Sequence, residues 1–328
     1  MFVRICYQSS PENSRDNTEQ ALTAKRASAP EIDRQLPADG EIFLDHVGHF
    51  VRDAAAASRA LVRAGFAPTP VSIQANPDGT PTGTGNVTAM FSRGYVEMLF
   101  KTADTPLGRE FDLALAGHAG VHLAAFSIAD AEGQHRRLTE AGFAMRPLVQ
   151  FQRPVETVSR PDVAAFTVVR LERGAMAEGR IQMLAHRTEN TVWQPRWLTH
   201  RNGALGLVDL VVVCADVGEA AGRFVRFTGH AAASTLYGQA IALDRGQVSL
   251  FSVDAFAAIL PEIAMPGLPF MAAYALRVQS LAAVEALLRQ EDMPTWRIGA
   301  SLVAPFPQEL GVGAWLFVEN ADDLPWRS

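Results

Sequence analysis

The chain has 328 residues, 48% hydrophobic and 20% charged, which is enough apolar material for about two packed domains and excludes a disordered polymer. Its 29 basic against 35 acidic residues leave a net charge of −6, so no global positive field is available to hold nucleic acid or an anionic membrane. The longest apolar stretch, 204–215, is interrupted by Asp209 and is shorter than the ~20 residues that cross a bilayer.

Residues 1–40 are polar and aperiodic, with Pro11, Pro30 and Pro37, and read as a flexible N-terminal extension without a catalytic role. The first residues hold Glu12, Asp16 and Glu19 and no apolar run, so a cytoplasmic protein is expected. The only cysteines, Cys6 and Cys214, offer neither a disulfide framework nor a thiolate metal site, and Cys214 reads as a small core residue. The two lysines, Lys25 and Lys101, give little basis for Schiff-base chemistry.

From Ile42 a pattern of strand, helix and further strands begins. Leu44 to Val51 is extended, Asp53 is placed to cap a helix with apolar positions 57, 60, 61 and 64, and Gly65 stops it. Val121 to Ile128, Asp130 and Gly142 repeat this grammar, and both Asp130 and Gly142 lie 77 residues beyond their counterparts. Extended segments follow in each unit: 86–92 and 95–100 in the first, 163–171 and 180–186 in the second. A third copy starts at Leu207 with its cap at Asp216, and a fourth at Phe270 with a helix over 281–290. The expected fold class is therefore α+β, with four βαβββ modules forming two pairs, 41–186 and 204–328, joined by a connecting segment, 187–203. A single module leaves one curved sheet face uncovered, so each pair is expected to close a cavity.

Leu44-Asp45-His46 at the start of the first strand resembles the vicinal oxygen chelate superfamily, and within it a glyoxalase-like domain family. Asp53, the Gly83-Thr84-Gly85-Asn86 turn and the closing segment from Gly94 to Phe100 carry the same resemblance. It implies two paired-module, glyoxalase-like half-barrels. It also implies a metal ligand on the first and last strand of each module in a pair. Carried over by position, these are His46 and Glu97, then His122 and Gln182. Such a set of imidazole, carboxylate and amide oxygen suits a divalent metal, Zn, Ni, Mn or Fe, with Glu97 and Gln182 as the ligands able to act on a proton in transit. An ungapped match through Asp130 sets Leu123 opposite His46, so His122 faces the site only if a bulge intervenes.

The remaining polar and aromatic residues of this half are assigned by position. Asn86, Tyr95, Trp193, Arg196 and His200 are candidates for a substrate pocket, although the segment 193–203 serves equally as a clamp between the two pairs. His49 sits on the opposite strand face from His46 and reads as a core histidine, and His186, four residues past Gln182, falls near the pocket rim. The second pair offers Asp209, Ser249, about Tyr274, and Trp315 at the ligand places, a set that holds no metal. The turn at 83–86 lacks a third glycine and a following helix, so it is not a dinucleotide site. The expected function is that of a metalloenzyme of the lyase, isomerase or dioxygenase type acting on a small oxygenated metabolite. The alternative is a metal-free protein that sequesters a small molecule in the same cavity. A monomer or homodimer is expected, with the second pair able to act as a scaffold in place of a partner chain.

Overall fold

The computed structural model describes residues 34–76 and 78–327. Cys6 and most of the expected extension lie outside the described residues. Within the extension, 34–40 pack on the fold, where the Arg245 guanidinium donates to the carbonyls of Arg34 (2.6 Å) and Gln35 (3.3 Å).

The first half runs β1 (Phe43–Phe50), α1 (Ala54–Arg63), β2 (Ser72–Ala75), β3 (Pro81–Met90), β4 (Tyr95–Lys101) and α2 (Pro106–Gly117). It continues with β5 (Gly120–Ser127), α3 (Ala131–Glu140), β6 (Val149–Glu156), β7 (Pro161–Arg170) and β8 (Arg180–His186). A short α4 (Glu189–Val192) leads to β9 (Ala204–Val213), α5 (Val217–Thr228), β10 (Ala232–Thr235), β11 (Gly238–Ala242), β12 (Gln247–Phe251) and α6 (Val253–Ile259). The chain ends with β13 (Phe270–Val278), α7 (Leu281–Gln290), β14 (Trp296–Ile298), β15 (Ser301–Pro305) and β16 (Ala314–Val318).

Each module repeats one local device. Asp53, Asp130, Asp216 and Ser280 cap α1, α3, α5 and α7 by accepting from the backbone N–H three residues on, which satisfies a donor the helix cannot satisfy itself. In every module the first strand lies parallel to the last: β1 on β4, β5 on β8, β9 on β12 and β13 on β16.

The two pairs differ in closure. The first pair has the order β1-β4-β3-β2-β6-β7-β8-β5, and β5 returns to β1, so its eight strands close on one another as a barrel. The second pair, β10-β11-β12-β9-β13-β16-β15-β14, stays open at its ends. Its concave face is filled by its own chain: Phe256 and Ile259 of α6 and the C-terminal Leu324 and Trp326 pack on Val211, Phe251, Phe270 and Leu316. Beneath this plug Asp209 accepts hydrogen bonds from Gln247 (2.8 Å), Ser249 (3.0 Å) and the Trp326 indole (2.9 Å).

The caps also fix the register of the fourth module. Ser280 lies seven residues beyond Ala273, as Asp53 does beyond His46, so the last two ligand places are Ala273 and Leu316, one residue from the expected Tyr274 and Trp315. Those two side chains face the other way, into the core between the pairs. There the Trp315 indole donates to the Tyr274 hydroxyl (2.6 Å), and His49 bridges that hydroxyl (3.1 Å) and the Leu310 carbonyl (2.9 Å). Burial lowers the His49 pKa to about 4, which makes it the neutral core histidine expected. Phe66 against Trp315, and Phe126 and Phe143 against Phe227, complete this shared core.

If Trp326 is the keystone of the plug, Trp326→Ala should cost about 3–5 kcal/mol by the usual scale of large-to-small core changes. Urea unfolding measures it, and a loss below about 1 kcal/mol would show that the plug is not part of the core.

Candidate functional site

Inside the closed barrel the two-residue alternation of strands points one row of side chains from every strand inward. His46, Tyr95, Glu97, Asn86 and Gln74 come from the first module, and Leu123, Phe151, Arg153, Phe166, Arg170, Arg180 and Gln182 from the second. They enclose a cavity of ≈ 60 Å³, roofed by Leu107 and Phe111 of α2. A larger recess of ≈ 330 Å³ adjoins it and shares Arg170, Arg180 and Gln182 with it.

Two glycines help to shape this space. A Cβ on Gly83, whose φ is +92°, would stand 2.1 Å from the Thr105 hydroxyl that caps α2, and a Cβ on Gly85 would stand 2.6 Å from the Phe100 ring. The segment 83–86 is thus part of β3, not the turn expected, and its glycines admit the roof helix and an aromatic ring at close approach.

The centre of the site is a buried relay. Asp45 is fully buried and accepts from His46 Nδ1 (2.7 Å) and His186 Nε2 (2.9 Å). Burial alone would raise its pKa, but the two imidazoles outweigh that and hold the carboxyl far below the ordinary range, so it is ionised and acts only as an acceptor. His46 must therefore carry a proton on Nδ1, which turns Nε2 to the cavity. That nitrogen faces Glu97 Oε2 at 3.5 Å, while Asn86 holds Glu97 Oε1 at 2.5 Å. The His46 ring stacks on Tyr95 with centroids 4.3 Å apart.

At 3.5 Å, His46 Nε2 and Glu97 Oε2 are farther apart than the partners of a charge-assisted hydrogen bond. Bonds of about 2.0–2.2 Å to a tetrahedral ion set ligand atoms roughly 3.3–3.6 Å apart, so this gap fits one transition metal. Gln182 Oε1 is buried in the same wall without a hydrogen-bond partner, which leaves it available as a third donor. Among the described residues no three His, Cys, Asp or Glu side chains gather as a metal cluster, so the set depends on that amide.

Register places the other candidates. His46 is opposite Tyr95 and Leu123 is opposite Arg180, so Leu123 is the counterpart of His46, and Gln182 that of Glu97. β5 does bulge at His122, but the imidazole turns away from His46, bonds the His118 carbonyl (2.9 Å) and packs on Phe50 in the outer recess. His122 therefore does not join His46 and Glu97, because the bulge leaves the Leu123 side chain in the inward row. Asn86 and Tyr95 line the cavity. Trp193 lies behind them, edge-on to Tyr95 and 4.6 Å from the His186 ring. Arg196 donates to the Glu156 carbonyl outside the barrel, and His200 ties Ala67 N (3.0 Å) to the Met90 carbonyl (2.7 Å), so neither reaches the cavity. The segment 193–203 acts as a clamp at these two residues.

Asp45 and the three arginines are the members of the site that position along the sequence did not identify, while His186, expected near the pocket rim, serves as the second donor to Asp45. Neighbours on a strand normally face opposite ways. Asp45 meets His46 because β1 bulges between Leu44 and His46, and a bulge has no sequence signature here. Because the Asp45 pKa is depressed on folding, its contribution to stability is full above about pH 4 and is lost as the pH falls through the folded value. Asp45→Asn should cost about 3–5 kcal/mol at pH 7 and flatten the acid limb of Tm against pH below about pH 4, as read by thermal unfolding across pH. An unchanged acid limb would remove Asp45 from this role.

Residues 44–228, more than half of the chain, match the glyoxalase-like domain family. No curated protein matches. Among solved structures, a hypothetical protein from Staphylococcus aureus superposes with a TM-score of 0.57 at 9% identity, covering 84% of this chain and 98% of that one. A triple mutant of 4-hydroxymandelate synthase from Streptomyces coelicolor gives 0.52 at 15% identity, covering 84% and 92%. The Mn(II)-bound glyoxalase from Novosphingobium aromaticivorans gives 0.52 at 12% identity, covering 86% and 83%. At these identities the likeness is one of fold. The chain belongs to the glyoxalase-like domain family of the vicinal oxygen chelate superfamily.

Proposed function

We propose that the protein is a divalent-metal enzyme that acts on a small oxygenated metabolite in the first-pair cavity. The observation that carries this reading is the convergence of His46 Nε2 and Glu97 Oε2 at 3.5 Å, with Asp45 holding His46 Nδ1 from behind. A carboxylate behind a ligating histidine is the usual means of orienting its lone pair. His46, Glu97 and Gln182 would hold the ion, which when bound supplies a Lewis acid for vicinal oxygens of the substrate. Asn86 fixes Oε1 of Glu97, and Oε2, as the ligand atom able to leave the ion, would take and return a proton beside the reacting carbon. Leu99, Phe111, Phe151, Phe166 and Val168 keep water from that carbon and seat an apolar body.

No helix of the described residues is long and apolar enough to cross a membrane. A cytoplasmic setting, a small-molecule ligand in place of nucleic acid, and a monomer or homodimer belong to the same proposal. The second reading, a metal-free binding protein, draws on Leu123 occupying one of the four donor places.

Elemental analysis of tag-free protein separates the two. About one equivalent of a transition metal should be retained, and His46→Ala and Glu97→Ala should each lose it, since removing a ligand removes a lone pair without replacement. Asp209→Ala should retain the metal and lower only stability, by about 1–3 kcal/mol for the buried donors it orphans. Metal-free protein that cannot be reloaded, or metal retained in both first-pair variants, would favour sequestration.

A further inference from the structure

Within the same barrel, the charge of the cavity wall is left unbalanced by the donor set. Arg153 is 7% exposed, points inward beside Phe151 on β6, and makes no hydrogen bond or ion pair among the described residues. Its neighbours are Tyr95 and Glu97, and its pKa is lowered by burial. Arg170, on β7, also makes no side-chain hydrogen bond, and its Nε is buried without a partner. Arg180 differs, because Glu110 accepts from it at 2.5 Å and is itself shared with Arg146 at 3.3 Å. Facing the cavity, then, Arg153 has Glu97 as its acidic neighbour but no hydrogen bond to it, whereas Arg170 lies six residues along β7 from Ala164, the partner of Arg153, and is attracted by Glu110.

A buried guanidinium costs several kcal/mol unless a partner receives its N–H groups. Such an arrangement persists where the partner is a ligand, and the planar fork of arginine matches a carboxylate in two parallel hydrogen bonds. The recess that leads to the cavity carries Arg146, Arg170, Arg173 and Arg180 against Glu110 and Glu172, so its net charge also favours entry of an anion. The apolar side chains around Arg153, Phe151 and Phe166 among them, suit a compact hydrocarbon or aromatic body more than a second charge.

We propose that Arg153 is the carboxylate-binding residue of this cavity, so that its ligand is a small oxygenated acid with an apolar body, held by its carboxylate at Arg153 and by its other oxygens toward His46 and Glu97. The inference deepens the functional reading above and rests on it for the site. The carboxylate contact itself requires no metal.

The test uses calorimetric titration of the full chain, as purified and after stripping with EDTA, with phenylglyoxylate, its methyl ester and phenyl phosphate as probes. The acid should bind at least about tenfold more tightly than the ester and than phenyl phosphate, in both forms of the protein. Arg153→Gln should weaken the acid by about tenfold or more and change the ester by less than about twofold, with Tm equal to or above wild type because an unpaired charge is removed. Arg153→Lys, which keeps the charge but loses the planar fork, stands in should Arg153→Gln not fold, and should weaken the acid by about threefold or more with the ester unchanged. Equal affinity for acid and ester, tighter binding of phenyl phosphate, absence of acid binding, or acid binding indifferent to both substitutions would overturn the subsite. Acid binding that vanishes with EDTA and ignores Arg153 places the carboxylate on the metal, which overturns the subsite and leaves the functional reading intact. Arginine-dependent binding in a protein that never holds metal has the opposite meaning.

Discussion

A carboxylate with no access to water must be met by donors on its open sides, and Asp45 is met by two imidazoles from opposite modules of one barrel. That contact joins β1 to β8, the two strands that flank β5, and it decides which nitrogen of His46 faces the cavity. The Glu97 contact, the available amide of Gln182 and the chemistry assigned to the cavity all follow from where that nitrogen points. The stacked Tyr95 and the Trp193 ring behind it enclose the pair, so the relay is screened from solvent and its electrostatics are strong.

The same module has two outcomes in one chain. In the first pair β2 meets β6 and β5 meets β1, and inward residues from eight strands surround a void. In the second pair the void is occupied by α6 and the C-terminal segment, and the four ligand places hold Asp209, Ser249, Ala273 and Leu316. Burial raises the Asp209 pKa to about 6, yet its hydrogen bonds go to Gln247, Ser249 and Trp326, all internal partners. The second pair thus contributes a packed face against which β1 and β5 are held, with β13 touching β5 and His49 reaching Tyr274.

Much of this was legible in the residues because caps and stops are local. Asp53 and Gly65, repeated at Asp130 and Gly142, give the modules and their spacing, and that spacing alone sets Leu123 opposite His46. The site was less legible because it depends on irregularities. A bulge brings Asp45 to the face of His46, and a second bulge leaves His122 outside. Arg153 and Arg170 lie on β6 and β7, strands with partly exposed, mixed composition in which an inward arginine resembles a surface one. In the fourth module a serine cap in place of aspartate hid the register by one residue, which is enough to turn Tyr274 and Trp315 to the opposite face.

The central claim is that ionised Asp45 holds His46 with a proton on Nδ1 and its Nε2 toward Glu97. Long-range ¹⁵N–¹H NMR of the histidine-labelled full chain at neutral pH reads this directly, with the His46 signals assigned by substitution. The account predicts the Nδ1–H tautomer for His46 in metal-free protein, with the Nε2 resonance shifting selectively on addition of Zn(II). A proton on Nε2, or a Zn(II) response that bypasses His46, would contradict it.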